Sequence, residues 1–160
     1  MILNALTFIH VALSLIGIGA GLVVVWRLLV SNPPYRGVTL FLAGTAAACL
    51  TGFFFPFHGF SPAQAVGILS LIALLIAGLA IYRHDLADGW RRTFAITAVI
   101  ALYFNVFVLV IQLFRKVPAL QVVAPTQSEP PFQVAQSLVF VVFAAIAIRA
   151  VIKTRAVKRG

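Results

Sequence analysis

Long apolar runs, broken by short polar or proline-rich stretches, set the pattern of this chain. Five runs stand out, at 5–29, 38–56, 63–82, 93–114 and 132–152. A helix rises about 1.5 Å per residue, so roughly 20 residues cross a hydrocarbon core of ~30 Å. Each run is near that length. The pattern therefore predicts an all-α bundle of five transmembrane helices, forming one integral membrane domain over 1–160.

The punctuation agrees with this division. Ser31, Asn32, Pro33 and Pro34 end the first run. Pro56 and the HGFSP stretch at 58–62 form a tight connection, with Ser61 and Pro62 as cap and first residue of the third helix. Polar residues at 83–92, Asp85, Asp88 and Gly89 among them, separate the third and fourth runs. The longest segment between runs is 115–131, which carries Pro118, Pro125, Pro130 and Pro131. Within it, 117–123 reads as a short interfacial helix. Ser128 and Glu129 ahead of Pro130 read as a helix start, with the acid at the positive end of the helix dipole. No internal repeat is present, which leaves an inverted-repeat transporter without support.

Composition strengthens the membrane reading. Hydrophobic residues make up 62% of the chain and charged residues 9%, against about a quarter charged in a soluble domain. A soluble enzyme, a disordered tail and a disulfide scaffold are excluded. Cys49 is the single cysteine and lies in an apolar run, so it reads as a small buried residue. The net charge of +9 points to nucleic acid only until the charges are placed. They sit at the ends of apolar runs, where they orient helices and meet anionic headgroups, and no nucleic-acid motif accompanies them.

Placement also orients the chain. Arg27, Arg36, Arg83, Arg91, Arg92, Arg149, Lys153, Arg155, Lys158 and Arg159 share one side, and Arg115 and Lys116 the other, which accounts for all 12 basic residues. The rich side is expected to face the cytoplasm, with the N-terminus out and the C-terminus in. The first run has no basic residue ahead of it and is too long for a signal peptide, so it reads as a retained span.

Depth is the informative coordinate for the polar groups. Counted from the outer ends of their runs, His10 and Thr51 each lie ~8 Å deep, Gln136 ~6 Å, Gln112 ~3 Å and Asn105 ~14 Å. Ser14 is one turn below His10. Spacing adds faces: His10, Ser14, Gly17 and Gly21 form one stripe, and Asn105 and Gln112 are a heptad apart. Gly44, Ala48, Gly52, Gly67 and Ser70 offer small surfaces for close helix approach. Two readings stand side by side. Such stripes are commonly packing contacts, whose interhelical hydrogen bonds average only ~0.6 kcal/mol. An ionisable residue inside a span is also a candidate site, which singles out His10.

The candidate ligand-binding set is His10, Ser14, Thr51, His58, Asn105, Gln112, Glu129 and Gln136. An apolar ligand or a quinone fits it best, since such a ligand needs an apolar slot and one or two hydrogen-bonding groups near the interface. Phe53, Phe54, Phe55, Phe57, Phe60, Phe104 and Phe107 are candidates for the slot walls. Haem fits less well, because His58 lies ~11 Å above His10 by helix rise. A metal would draw on His10, His58 and Glu129, with no spacing motif behind them. No nucleophile has an identifiable base, and no carboxylate lies within a span, which leaves nucleophilic catalysis and a proton path without a residue set. The alternative to a binding protein is a structural or assembly subunit, with partner membrane subunits or further copies of itself, and a second alternative is a small haem- or metal-dependent redox membrane enzyme working through His10.

The runs TGFFFPFH at 51–58, YFNVFVLV at 103–110, KVPAL at 116–120 and APTQSEPPF at 124–132 resemble those of a family of small bacterial inner-membrane proteins. That resemblance covers most of the chain and implies a bacterial inner-membrane address without a mechanism. In size and helix count the chain is also superficially similar to DoxX-type membrane subunits, with no motif matched residue by residue. All four runs map to the outer half or the outer loop, so 115–131 is expected to fold over the outer mouth, with Thr126, Gln127 and Glu129 closing a pocket above His10.

Overall fold

A computed structural model describes residues 2–30, 35–55, 62–87 and 89–156 of the chain. The expected turn at 31–34, the connection at 56–61 with His58, Asp88 and the basic tail from 157 lie outside the described residues. Helices account for nearly all that is described: α1 (Ile2–Leu29), α2 (Val38–Gly52), α3 (Pro62–Gly78), α4 (Trp90–Lys116), α5 (Pro118–Val123) and α6 (Pro130–Ala156). Four of them, α1, α3 with its extension, α4 and α6, are long and apolar enough to cross a membrane.

The second expected span departs from its predicted length. α2 ends at Gly52 and has 15 residues, about 22 Å of helix rise. Phe53 and Phe54 continue only as tight turns, their N–H groups bonding the carbonyls of Leu50 and Thr51. Phe55 precedes Pro56, and a residue before proline is pushed out of the helical region. At the start of α2, Gly37 adopts φ 84°, a left-handed conformation that glycine takes without steric cost.

Neighbouring helices run antiparallel, and their small residues set how closely they pack. A Cβ added to Gly17 would stand 2.6 Å from the Thr45 hydroxyl, and one on Gly21 2.8 Å from the Phe41 ring. α1 and α2 therefore meet with 17 opposite 45 and 21 opposite 41. The same opposition recurs where Gly67 of α3 faces Phe53 and where the hydroxyls of Thr39 and Tyr82 share a 2.8 Å hydrogen bond. α6 lies along α4, with Phe132 edge-on to Phe114 and Phe140 and Phe143 around Tyr103.

The solid core occupies the half of the bundle nearer the arginine-rich end. Val24, Leu28, Val38, Phe41, Phe94, Val99 and Leu102 are almost completely buried there. The outward surface is apolar: Leu75, Val134, Leu138 and Val141 are each more than 60% exposed. Such a surface suits hydrocarbon rather than water.

At the arginine-rich end, α3 widens into a π-helical turn over Leu79–Arg83. Asp85 and Leu86 then take left-handed conformations, at φ 45° and 57°. The Leu86 N–H bonds the Ala80 carbonyl, and His84 stacks flat on Trp90 with ring centres 3.7 Å apart. The Tyr35 hydroxyl donates to Asp85 at 2.9 Å. That hydrogen bond, with desolvation and the carboxylate charge, holds the phenol above its usual value near 10.

The segment after α4 is built as its prolines indicate. Pro118 opens α5, and the Gln127 side chain then donates to the Ile111 carbonyl of α4 at 3.1 Å. Glu129 caps the turn before α6. It accepts from the Thr126 hydroxyl at 2.8 Å and from the Thr126 and Ser128 N–H groups at 3.1 Å each.

Candidate functional site

The half of the bundle away from the solid core holds a cleft where α1, α2, α3 and α4 converge. Its volume is about 70 Å³. His10 and Ser14 of α1 line it, with Ala48, Cys49 and Gly52 of α2, Gln64, Gly67 and Ser70 of α3, and Phe104, Asn105 and Val108 of α4. Phe53, in the turn after α2, completes the wall. A second cleft of about 50 Å³ runs between α1 and α4, bounded by His10, Val11, Leu15, Leu109 and Gln112. His10, Ser14, Asn105 and Val108 line both clefts.

His10 is held from two directions. Its Nδ1 lies 3.0 Å from the Thr51 hydroxyl oxygen, and its ring packs edge-on to Phe55 at 5.4 Å. The Thr51 hydroxyl has one proton, and the carbonyls of Ala47 and Ala48 at 2.8 Å and 3.0 Å are there to receive it. With that proton on a carbonyl, the oxygen accepts from His10, and an imidazole that is neutral then carries its proton on Nδ1. Nε2 is left with its lone pair, ready to accept a hydrogen bond.

Asn105 stands one layer deeper. Its Nδ2 reaches the Ser14 carbonyl at 3.5 Å and the Thr45 hydroxyl at 3.4 Å. Both contacts are long for N–H···O bonds, so the amide is oriented without being tightly held. Thr45 is itself buried against α1, which makes it the anchor of this layer.

The structure brings together five of the expected residues: His10, Ser14, Thr51, Asn105 and Gln112. It sets two apart. Gln136 donates to the Phe107 carbonyl at 3.2 Å and lines neither cleft, so it ties α6 to α4. Glu129 is held by its own loop, and neither it, Thr126 nor Gln127 lines the clefts. The loop at 115–131 bonds back onto α4 instead of closing over His10. His58 lies outside the described residues.

Four lining or anchoring residues escaped the sequence reading. Gln64 carried a usable signal, as an amide within one turn of the outer end of the third run. Cys49 and Ser70 looked like ordinary small residues. Thr45 becomes visible only once the Gly17 contact fixes the α1–α2 register.

The cleft volume limits what fits. About 70 Å³ is about half the ~150 Å³ cavity that admits benzene, and the cleft opens to the surface of the bundle. Among the described residues no three His, Cys, Asp or Glu side chains converge to hold a metal ion. No family model, curated protein or solved structure matches this chain.

Proposed function

We propose that this protein is a small bacterial inner-membrane binding protein that takes the polar end of a lipophilic molecule, of the quinone and quinol class, at His10. The observation carrying this reading is His10, which lines both clefts while its Nδ1 meets the Thr51 hydroxyl, so that Nε2 of the neutral ring is the nitrogen left to accept. A ligand hydroxyl, as on a quinol, supplies the matching donor. Asn105 and Gln112 offer further amide groups along the same wall. The ring and tail of such a ligand stay outside the 70 Å³ cleft, toward the bilayer, or displace Phe53 and Phe104.

In this reading the chain crosses the membrane five times, with its N-terminus outside. α1 and α3 both run antiparallel to α2, so α2 carries the chain back between them. Its 15 residues fall short of a ~30 Å core, and the turns at 53–55 lengthen the path. Ten basic residues at one end and two at the other favour this orientation.

A second reading has its own support. Gln136 and Gln127 each commit an amide N–H to a carbonyl of α4, as packing groups in a structural subunit do. Mass spectrometry of the organic extract of purified protein separates the two. A binding protein retains a lipophile that Asn105→Leu releases while the fold survives. A structural subunit yields no specific lipophile and loses its fold on the same substitution.

A further inference from the structure

A larger groove lies elsewhere, on the surface between α2 and α3, and its volume is about 550 Å³. The two helices touch at both ends of it. The Thr39–Tyr82 hydrogen bond joins them at the arginine-rich end, and Phe53 against Gly67 joins them at the other. Between these points the facing residues are too small to close the gap. Ala43, Ala46 and Gly78 lie among its leucines. A gap of this size left empty forfeits dispersion contacts along its whole wall, and in a bilayer the material at hand to fill it is a hydrocarbon chain.

Basic residues outnumber acidic ones among the described residues at the mouth of the groove. Thr39 is bonded to Tyr82 and Tyr35 to Asp85, so 35–39 and 82–85 lie side by side. Arg36 and Arg83 fall within these paired stretches, and both are exposed. Asp85 is the one carboxylate described there, and the Tyr35 hydroxyl already donates to it. Tyr82 lines the groove and is the chain neighbour of Arg83, so two exposed arginines fall in the stretches that close this end of an apolar slot, a pairing that matches a phosphate joined to an acyl chain.

The geometry points to a specific site for one anionic phospholipid, its acyl chain in the α2–α3 groove and its phosphate at Arg36 and Arg83. The site lies apart from His10 and does not depend on what binds there.

The test uses the full chain, delipidated in detergent and titrated with dioleoyl phosphatidylglycerol or dioleoyl phosphatidylcholine, with bound lipid counted by native mass spectrometry. The wild type is expected to hold one phosphatidylglycerol in preference to phosphatidylcholine. Arg36→Gln with Arg83→Gln weakens that binding on the order of 30-fold. Ala43→Phe, at an exposed position in the groove, weakens it with both arginines in place, and Arg115→Gln at the opposite end leaves it unchanged. Equal retention of both lipids overturns the proposal. So does a preference that survives both the arginine pair variant and Ala43→Phe, or a dimer in the wild type that Ala43→Phe dissociates, since the occupant is then a second copy of the chain.

Discussion

The imidazole of His10 and the hydroxyl of Thr51, 41 residues apart in the chain, meet at 3.0 Å between α1 and α2. The contact fixes more than a distance. Thr51 passes its own proton to the carbonyls one turn back in α2, so it receives one from Nδ1, and the acceptor face of the ring becomes Nε2. A polar pair inside an apolar bundle thus acquires a direction.

Replacing Thr51 tests that direction. Thr51→Val removes the acceptor and releases the ring, at a stability cost near the ~0.6 kcal/mol typical of interhelical bonds in membranes. Its effect on ligand affinity is expected to exceed its effect on unfolding, and Thr51→Ser restores both. Denaturation in detergent alongside a binding titration reads the two quantities separately.

The register that brings 10 to 51 is set by glycine. Gly17→Ala places a Cβ 2.6 Å from the Thr45 hydroxyl and 3.1 Å from its backbone nitrogen. Backbone cannot step aside as a side-chain tip can, so a loss of about 1–3 kcal/mol is expected. Gly19→Ala is the control, because nothing lies within 4 Å of its Cβ. It should be neutral or stabilising by up to about 1 kcal/mol through helix propensity. Steric-trap or denaturant unfolding of the two variants checks the contrast.

Much of the scaffold was legible in the sequence. The end of α1 at Leu29 follows from the apolar run and the prolines beyond it, though the helix already begins at Ile2 rather than at 5, and the short helix expected over 117–123 forms over 118–123 with Pro118 as its first residue. The end of α2 was not, because Phe53, Phe54 and Phe55 extend an apolar run that the backbone has already left. Hydropathy reports where a residue is comfortable and not whether it is helical. α4 errs the other way: it begins at Trp90, since Arg91 and Arg92 are poor in hydropathy yet good helix formers. The left-handed Leu86 had no local signal, as leucine rarely adopts that conformation.

For the site, depth was legible and pairing was not. Counting rise put His10 and Thr51 at the same level, ~8 Å from the ends of their runs. Which face of each helix turned toward the other depended on the close approach of Gly17, Gly21 and Gly44, which no single helix reveals. The loop at 115–131 turns its polar residues to one another and to α4: Thr126, Ser128 and Glu129 share hydrogen bonds, Gln127 bonds Ile111, and none of them lines the clefts at His10.

That set of hydrogen bonds predicts a pH response in the loop. Desolvation raises the Glu129 carboxyl, but the hydrogen bonds from the Thr126 side chain and from the Thr126 and Ser128 backbone outweigh it and hold it below its ordinary 4.5. A depressed folded value means the carboxylate contributes order above about pH 4.5 and loses it as pH falls through the folded value. Amide exchange at Thr126 and Ser128, normalised for intrinsic rate, should rise relative to that of α4 below that pH. Glu129→Gln should show the raised exchange at neutral pH and no further acid response.

The central claim is that His10 presents Nε2 as an acceptor to a lipophilic hydroxyl. Nitrogen NMR of the histidine side chains in detergent, with His10 assigned by its loss in His10→Ala, tests it most directly. The account predicts a neutral imidazole protonated at Nδ1, and an Nε2 resonance that shifts on titration with an alkyl hydroquinone and saturates. An imidazole protonated at Nε2, or an Nε2 resonance that the hydroquinone does not move, would contradict it.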